Sequence, residues 1–224
     1  MMQIDIVTLF PEMFASIFTQ SIIKRAQDSG AVEIKIYNLR DFAIDKHKIV
    51  DDRPYGGGPG MVLKVDVLHQ ALEKLKEQNP QAAIILLTPQ GEKYTQQHAE
   101  QLATKEDLIL VAGHYEGFDD RIRKYVDQEI SIGDYVLTGG EIPAMTIVDS
   151  VVRLIPGVLG DDNSASTDSF SSGMLGYPQY TRPEKFKEEK VPAILLSGNH
   201  AKINKWRQEQ AKKRTKQRRP DLLS

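Results

Sequence analysis

Hydrophobic and polar positions along the chain form two patterns that alternate as far as about residue 155. Short apolar runs, most of them nearly continuous, predict strands at residues 4–9, 32–39, 82–88 and 108–113, and a strand followed by a loop at 129–137. Between these runs, apolar residues recur at helical spacing and predict helices at residues 11–30, 67–75, 94–103, 119–126 and 141–155. Strands that alternate with helices in this way indicate an α/β fold with a mostly parallel sheet.

The regular pattern is lost in two places. Residues 40–63 are charged and glycine-rich, without either periodicity. From Gly157 the chain becomes rich in Gly, Ser, Asp and Asn, and a short proline-containing segment then precedes a last helical stretch. We therefore predict an α/β domain over residues 1–160, a flexible linker over 161–172 and a small, basic, helical domain over 173–224.

Composition excludes several classes of protein. The 224 residues can bury a large core and include no cysteine, which excludes a disulfide scaffold and fits a reducing compartment. No apolar run reaches the roughly 18 residues that a membrane helix needs, and the first residues lack the basic region of a secretory signal. We expect a cytoplasmic protein with no membrane partner.

Charge is distributed unevenly along the chain. Residues 201–219 contain nine Lys and Arg but only one acid, Glu209, so this stretch carries +8 and the remainder −10 within a net charge of −2. A basic end on an acidic body predicts a polyanionic partner that contacts one region, with a solvated terminal helix as the alternative.

Three glycine-bearing loops follow predicted strands. They are TPQG (88–91), AGHYEG (112–117) and IGDYVLTGG (132–140). Ligands of open α/β sheets bind at the carboxyl ends of the strands, and glycine lets the backbone approach them closely, so the loops predict one shared pocket. Neither G-x-x-x-x-G-K-[ST] nor a G-x-G-x-x-G after a strand is present, which leaves the usual phosphate and dinucleotide sites unsupported.

Other common chemistries are poorly supported. The histidines, at positions 47, 69, 98, 114 and 200, show no metal-ligand spacing, and no G-x-S-x-G elbow occurs. His114 could be functional, although a lone loop histidine is more often a solvated residue. RPYGGGPGM (53–61) is interpreted as a shaped surface loop that meets a partner or substrate. Two charged residues remain, Arg153 at the end of the predicted 141–155 helix and Asp168 in the predicted linker. An acid on a flexible, Ser-rich segment is usually only a solvated residue.

The motifs together resemble a known family. DDRPYGGGPGMVL, TPQG, GHYEGFDDRI, SIGDYVLTGGEIPAM, DSF and PQYTRPE stand in the order and spacing of the bacterial tRNA (guanine-N1)-methyltransferases of the TrmD type, in the SPOUT superfamily. The resemblance covers essentially the whole chain. It implies an α/β fold with a C-terminal trefoil knot, and a homodimer whose active site lies at the subunit interface. It also implies transfer of a methyl group from S-adenosylmethionine to N1 of guanosine-37, 3′ of the anticodon in tRNA.

The resemblance assigns roles to individual residues. Asp168 is expected to be the general base and Arg153 to stabilise charge on guanine O6. The anticodon stem-loop is expected to contact the basic tail and Arg53, Tyr55, Gly58 and Pro59. The expected cofactor-binding residues are Leu87, Thr88, Pro89, Gly113, Tyr115, Glu116, Ser131, Ile132, Gly133, Asp134, Tyr135, Val136, Leu137, Gly139 and Gly140.

Some alternatives remain open. A non-catalytic RNA-binding module and an enzyme that methylates a ribose 2′-hydroxyl both fit a basic tail on such a body. Family members are associated with Mg²⁺, which makes that ion a possible cofactor, although no ligand cluster stands out in the sequence. Gly176 stands where many family members carry an acid, so any role of that acid in placing the substrate is in doubt.

Overall fold

The computed structural model describes residues 1–160 and 167–223. Contacts divide the chain into two compact units, Met1–Gly160 and Asp161–Ser224. The part of the predicted linker that covers residues 161–166 lies outside the described residues.

A five-stranded sheet forms the centre of the first unit. Its strands are β1 (Met2–Thr8), β2 (Val32–Asn38), β5 (Ala83–Lys93), β6 (Asp107–Ala112) and β7 (Gln128–Ser131), with β3 (Asp51–Asp52) and β4 (Val62–Leu63) in a separate antiparallel pair. The order in the sheet is β2-β1-β6-β5-β7, and every neighbouring pair is parallel. The predicted mixed α/β fold with a mostly parallel sheet is confirmed.

Helices cover both faces of this sheet, which explains why its strands are almost continuously apolar. The α-helices are α1 (Ala15–Phe18), α2 (Ser21–Asp28), α3 (Val65–Gln78), α4 (Gln96–Ala103) and α5 (Glu141–Val152). One core contains residues of α1, α2 and α5 with Ile4 and Ile6 of β1, and the other contains residues of α3 with Val7 of the same strand. The period-two alternation of β1 thus divides its side chains between two cores.

The helix predicted for residues 11–30 is not continuous. A 3₁₀ turn (Pro11–Phe14), α1 and α2 take its place, and Gln20 is extended between the two α-helices. The helical spacing of apolar residues persists across the break because Phe14, Phe18, Ile23 and Ala26 all pack into the same core. Periodicity therefore identified the buried face and missed the interruption.

The second unit contains one long helix. The described residues form a turn region from residue 167, a small hairpin of β8 (Lys185–Phe186) and β9 (Glu189–Lys190), a 3₁₀ turn (Ala193–Leu196), and α6 (His200–Arg218) with a final 3₁₀ turn (Pro220–Leu223). Asn199 caps α6, since its side chain accepts a hydrogen bond of 3.1 Å from the Lys202 amide. Across the described part of the chain, no helix has both the length and the apolar character needed to cross a bilayer.

Candidate functional site

A cleft of about 330 Å³ opens at the carboxyl ends of β5, β6 and β7. All three glycine-bearing loops line it, as the position of loops at parallel strand ends predicts. Of the expected cofactor-binding residues, only Asp134 is not in the wall. The wall also contains residues to which the sequence assigned no role, namely Gln90, His114, Gly117, Phe118, Asp120, Arg123, Ile130, Thr138 and Pro143.

The TPQG segment is an outward bulge of β5 and not a loop beyond its end. Both Leu87 and Glu92 pair with Ile130 of β7, so the four residues between them leave the ladder, and the first three of them line the cleft. Gly91 closes the bulge where a side chain would not fit, since a Cβ there would lie 2.4 Å from the Ile130 amide nitrogen. The glycine is explained by this close approach of two backbones.

Arg123 joins three segments of the cleft wall. Its guanidinium donates to Asp120 Oδ1 at 2.7 Å and to Gln90 Oε1 at 2.6 Å, and it also bonds the Glu129 carboxylate. The TPQG bulge, the 3₁₀ turn Asp120–Tyr125 and β7 are thereby held together by one planar side chain. No local sequence pattern predicts this role of Arg123, because its partners lie up to 33 residues away.

The loop after β6 makes a sharp turn and supports the β3–β4 hairpin. Tyr115 and Gly117 both have positive φ angles, of 61° and 130°. The Glu116 amide donates to the Met61 carbonyl, and the Leu63 amide donates to the Gly117 carbonyl. Gly60 lies so close to the Glu116 side chain that a Cβ would be 2.4 Å from it. The hairpin is therefore fixed beside the cleft.

The expected tRNA-contacting residues lie on this hairpin and not in the cleft wall. Arg53, Tyr55, Gly58 and Pro59 are exposed on the connection between β3 and β4. The Tyr55 side chain is fully exposed, and Gly58 has a φ of 126°, which few other residues adopt. This arrangement fits the predicted surface loop that meets a large partner.

An ion pair follows the loop after β6. Arg121 bonds both carboxylate oxygens of Asp119, at 2.8 Å and 2.6 Å, and this hydrogen bonding lowers the pKa of Asp119 below its ordinary value. The same carboxylate accepts from the Arg121 amide at 3.0 Å and caps the turn that carries Arg123.

The two adjacent glycines of IGDYVLTGG lie where the chain has no space for side chains. A Cβ on Gly139 would be 2.2 Å from Glu141 Oε2, and one on Gly140 would be 2.7 Å from the Ala112 Cα. The Gly140 amide donates to the Gly113 carbonyl at 2.7 Å, and Gly139 forms a bridge with His114. Two of the three loops are therefore in backbone contact, and the glycines make that contact possible.

A buried polar group lies directly beneath this contact. Glu141 is 2% exposed and accepts a hydrogen bond of 2.8 Å from Thr8 Oγ1, at the end of β1. Thr8 Oγ1 in turn accepts from the Phe10 amide at 2.9 Å. The sequence indicated only an acid in the first turn of α5, because its burial and its partner depend on a strand at the other end of the chain.

Of the two interpretations of His114, functional or solvated, the solvated one is wrong. Its ring lies between the rings of Phe10 and Tyr115, with centroids 4.7 Å and 5.2 Å away. Its Nδ1 is buried, has no hydrogen-bond partner among the described residues and lies 3.8 Å from Glu141 Oε2. Loop histidines are usually exposed, but the return of residues 139–140 onto this loop covers this one.

The remaining expected residues occupy three separate positions. Asp134 points outward and pairs with Lys93 at 2.9 Å. Arg153 is half-buried at the carboxyl end of α5, where a positive charge is favourable for the helix dipole. Asp168 is exposed in the turn region of the second unit, and its carbonyl accepts from Ser171 Oγ at 2.7 Å.

The charges of the cleft favour a cationic or neutral ligand. Glu116 and Asp120 are in the wall with one arginine, Arg123, and Arg123 is paired with both Asp120 and Glu129, so three carboxylates stand against one guanidinium. A phosphorylated nucleotide would meet this excess of negative charge. Among residues 1–160 and 167–223, no group of three or more His, Asp or Glu is placed to hold a metal ion, so the described residues give no support for the possible Mg²⁺ cofactor.

Comparison with known proteins identifies similar sequences over the whole chain. The family model described as tRNA (Guanine-1)-methyltransferase TrmD matches residues 2–224. The tRNA (guanine-N(1)-)-methyltransferase of Geobacillus kaustophilus is 60% identical, over 99% of this chain and 91% of the relative. The proteins of the same name from Dictyoglomus turgidum and Halalkalibacterium halodurans are each 58% identical, over 100% and 99% of this chain and 90% and 91% of the relatives.

Proposed function

This chain belongs to the tRNA (guanine-1)-methyltransferase TrmD family, and we propose that it methylates N1 of guanosine-37 in tRNA with S-adenosylmethionine as the methyl donor. It is an enzyme of the tRNA (guanine-N1)-methyltransferase class. The identity of the cofactor, the methylated position in tRNA and the roles of individual residues are proposals.

The observation that carries the proposal is the cleft formed by the three glycine loops. Gly113, Gly139 and Gly140 are in the wall of the cleft, and their lack of side chains lets its loops pack together around an open volume that suits the flat adenine and sugar of a nucleoside. The carboxylates of Glu116 and Asp120 favour a cationic ligand over a phosphorylated one. When bound, S-adenosylmethionine supplies a methyl group on a positively charged sulfur. We assign its binding to the expected cofactor residues, except Asp134, which is not in the cleft wall.

Two charged side chains would activate the guanine. Its N1 carries a proton and becomes a good nucleophile only when that proton leaves, so a carboxylate must be held at N1. We assign this general base to Asp168, which is exposed and therefore accessible to a large substrate. We assign stabilisation of the negative charge on O6 to the Arg153 guanidinium. The described residues give no support for a Mg²⁺ site beside these two side chains.

The tRNA would contact two exposed regions. The outward side chains of α6 are predominantly basic and suit phosphates, and the hairpin loop with Arg53, Tyr55, Gly58 and Pro59 lies beside the cleft. N1 of a stacked base is inaccessible, so the guanosine would be turned out of the anticodon loop. We retain the division into a cofactor domain (1–160), a linker (161–172) and a tRNA-binding domain (173–224) as part of the proposal.

The knot, the dimer and the compartment also belong to the proposal. A trefoil knot over the last loops of the first unit is supported by family membership and by the packing of Gly139 and Gly140 on the preceding loop. A homodimer with its active site at the subunit interface follows from the same membership. Its substrate would place the enzyme in the cytoplasm.

Methyl transfer to defined tRNA transcripts tests the proposal. With labelled S-adenosylmethionine, we expect one methyl group on a transcript with guanosine at position 37 and none with adenosine there, and nucleoside mass spectrometry should locate the methyl on N1. Asp168→Ala should lower the rate of methyl transfer at least a hundredfold, because the general base is removed. Glu188→Ala, which removes an exposed acid of the same unit, is the control and should leave the rate unchanged.

Three results would contradict it. A methyl group on the ribose would indicate a 2′-hydroxyl enzyme. Binding of tRNA without any heat from S-adenosylmethionine in calorimetry would indicate a non-catalytic RNA-binding protein. An Asp168→Ala variant with normal turnover would remove the assigned base.

Mixing inactive variants tests the shared active site. If Arg153 and Asp168 of one site come from different protomers, a dimer of one Arg153→Ala and one Asp168→Ala chain has one intact site. We then expect activity to return when the two inactive proteins are unfolded together and refolded, but not when each is refolded alone. No recovery from the mixture, with mixed dimers verified by mass spectrometry, would contradict an interfacial site.

A further inference from the structure

The turn that carries Asp168 is closed by its own hydrogen bonds. The Phe170 amide donates to the Met174 carbonyl at 2.7 Å, and the Gly173 amide returns to the Phe170 carbonyl at 3.0 Å. Ser169 Oγ accepts from the Gly176 amide at 2.9 Å. The residues next to Asp168 thus form a compact unit, and the backbone at Asp168 moves only if this unit moves.

One buried hydroxyl fastens this unit to α6. Thr215 is 0% exposed, and its Oγ1 accepts a hydrogen bond of 2.9 Å from the Leu175 amide. The same hydroxyl donates to the Ala211 carbonyl at 2.8 Å, which fixes the direction of its lone pair. A buried threonine within a helix is uncommon unless its hydroxyl has partners, and here both capacities are used.

Aromatic contacts flank the hydrogen bond on both sides along the helix. The Arg219 guanidinium lies 5.8 Å from the centroid of the Phe170 ring, and the Arg207 guanidinium lies 4.8 Å from that of Tyr177. Thr215 lies eight residues after Arg207 in α6, and Arg219 directly follows the last residue of the helix. The chain from Phe170 to Tyr177 therefore runs along α6, antiparallel to the helix.

We propose that Thr215 is a positioning residue for the methyl transfer, because its hydroxyl fixes the Asp168 turn to α6. This inference rests on the proposed function, in which Asp168 is the general base. The carboxylate must reach guanine N1 within hydrogen-bond distance, and a small misplacement of a catalytic group costs a large factor in rate. Thr215 does not touch the substrate and acts only through the turn.

The arrangement also connects tRNA binding with the position of the Asp168 carboxylate. The exposed side of α6 presents cations that suit tRNA phosphates, among them Lys202, Lys205 and Lys213. In this arrangement α6 binds the tRNA phosphates through its exposed cations and holds the Asp168 turn through its buried side. The helix thereby fixes the Asp168 carboxylate relative to the RNA. A threonine within a basic helix does not by itself indicate that its hydroxyl holds another segment of the chain.

Thr215→Val tests the inference because valine keeps the shape and removes the hydroxyl. We expect the single-turnover rate to fall about tenfold, while the dissociation constants for tRNA and for S-adenosylmethionine stay within twofold of the wild-type values. Thr215→Ser keeps the hydroxyl and should retain at least half of the wild-type rate. Ser169→Ala removes the bond inside the turn without changing α6 and should also slow the reaction, which provides a test if Thr215→Val does not fold.

The possible results separate the two proposals. Wild-type rates in both Thr215→Val and Ser169→Ala, with Asp168→Ala inactive, would overturn the role of Thr215 and leave the proposed function intact. A fall in rate matched by an equal loss of tRNA affinity, or no recovery in Thr215→Ser, would assign Thr215 a structural role only. An active Asp168→Ala variant would overturn the proposed base and this inference with it.

Discussion

The hydroxyl of Thr8 donates a hydrogen bond of 2.8 Å to Glu141 Oε1, although 133 residues separate them in the chain. Thr8 is the last residue of β1, and Glu141 is the first residue of α5, which follows the Gly139-Gly140 turn. Both side chains are buried. The bond thus fixes the end of the IGDYVLTGG loop to the central sheet directly beneath the cleft.

Thr8→Val should destabilise the protein and weaken cofactor binding. Valine leaves a buried carboxylate oxygen without its donor, which costs about 1–3 kcal/mol of the free energy of unfolding. Denaturant unfolding measures this loss, and calorimetry with S-adenosylmethionine measures the effect on the cleft. Thr8→Ser keeps the donor and should remain close to wild type. Equal stability of the serine and valine variants would show that the bond contributes nothing.

Gly139→Ala should impair the cleft through lack of space. The added Cβ would be 2.2 Å from Glu141 Oε2 and 2.6 Å from His114 Nδ1, so the loop must move by several tenths of an ångström. We expect a cost of about 1–3 kcal/mol in stability and a clear loss of S-adenosylmethionine affinity. Gly160→Ala is the matched control, since a Cβ there meets nothing within 4 Å. Normal cofactor binding by the Gly139 variant would refute close packing at this turn.

Asp5→Asn should change how stability depends on pH. Asp5 is fully buried in β1 and accepts from Gln3 and Asn79, and burial raises its pKa above the ordinary value of 3.8. Because the folded protein holds this proton more tightly than the unfolded chain, the contribution of Asp5 is fully present below pH 3.8. It is lost as the pH rises through the pKa of the folded state.

The difference between wild type and the asparagine variant isolates that contribution. The free energy of unfolding of the wild type, minus that of Asp5→Asn, should become smaller from pH 3.8 upward and then level off. Urea unfolding over a pH series measures it, with the exposed Glu106→Gln as control. A difference that grows with pH would show that hydrogen bonding outweighs burial at Asp5.

Removing cations from the exposed face of α6 should reduce the salt dependence of tRNA binding. Each phosphate contact contributes a slope of about 0.7–0.9 to the plot of log affinity against log salt concentration, because bound counterions are released. Lys205→Ala and Lys213→Ala should each reduce the slope by about that amount. Lys105→Ala changes an exposed cation of the first unit and should leave it unchanged. Unchanged slopes in all three variants would exclude α6 from the tRNA interface.

Several features of the cleft could be predicted from the sequence. The loops at 88–91, 112–117 and 132–140 were expected to meet, since parallel strands place their carboxyl ends at one edge, and their glycines indicated close backbone approach. His114, Arg123 and the bulged form of TPQG were not predicted. Their positions depend on residues paired across the sheet, and no local pattern encodes such pairs.

The sequence by itself determined the α/β alternation, the parallel sheet, the family and the basic helix, because these depend on local periodicity, on ordered motifs and on charge. Only the tertiary structure decided that Thr8 bonds Glu141 beneath the glycine turn and that Thr215 holds the turn of Asp168. These contacts join residues 133 and 40 positions apart. A hydrogen bond between such residues is fixed by the packing of whole elements, so its partners cannot be identified until those elements have been placed.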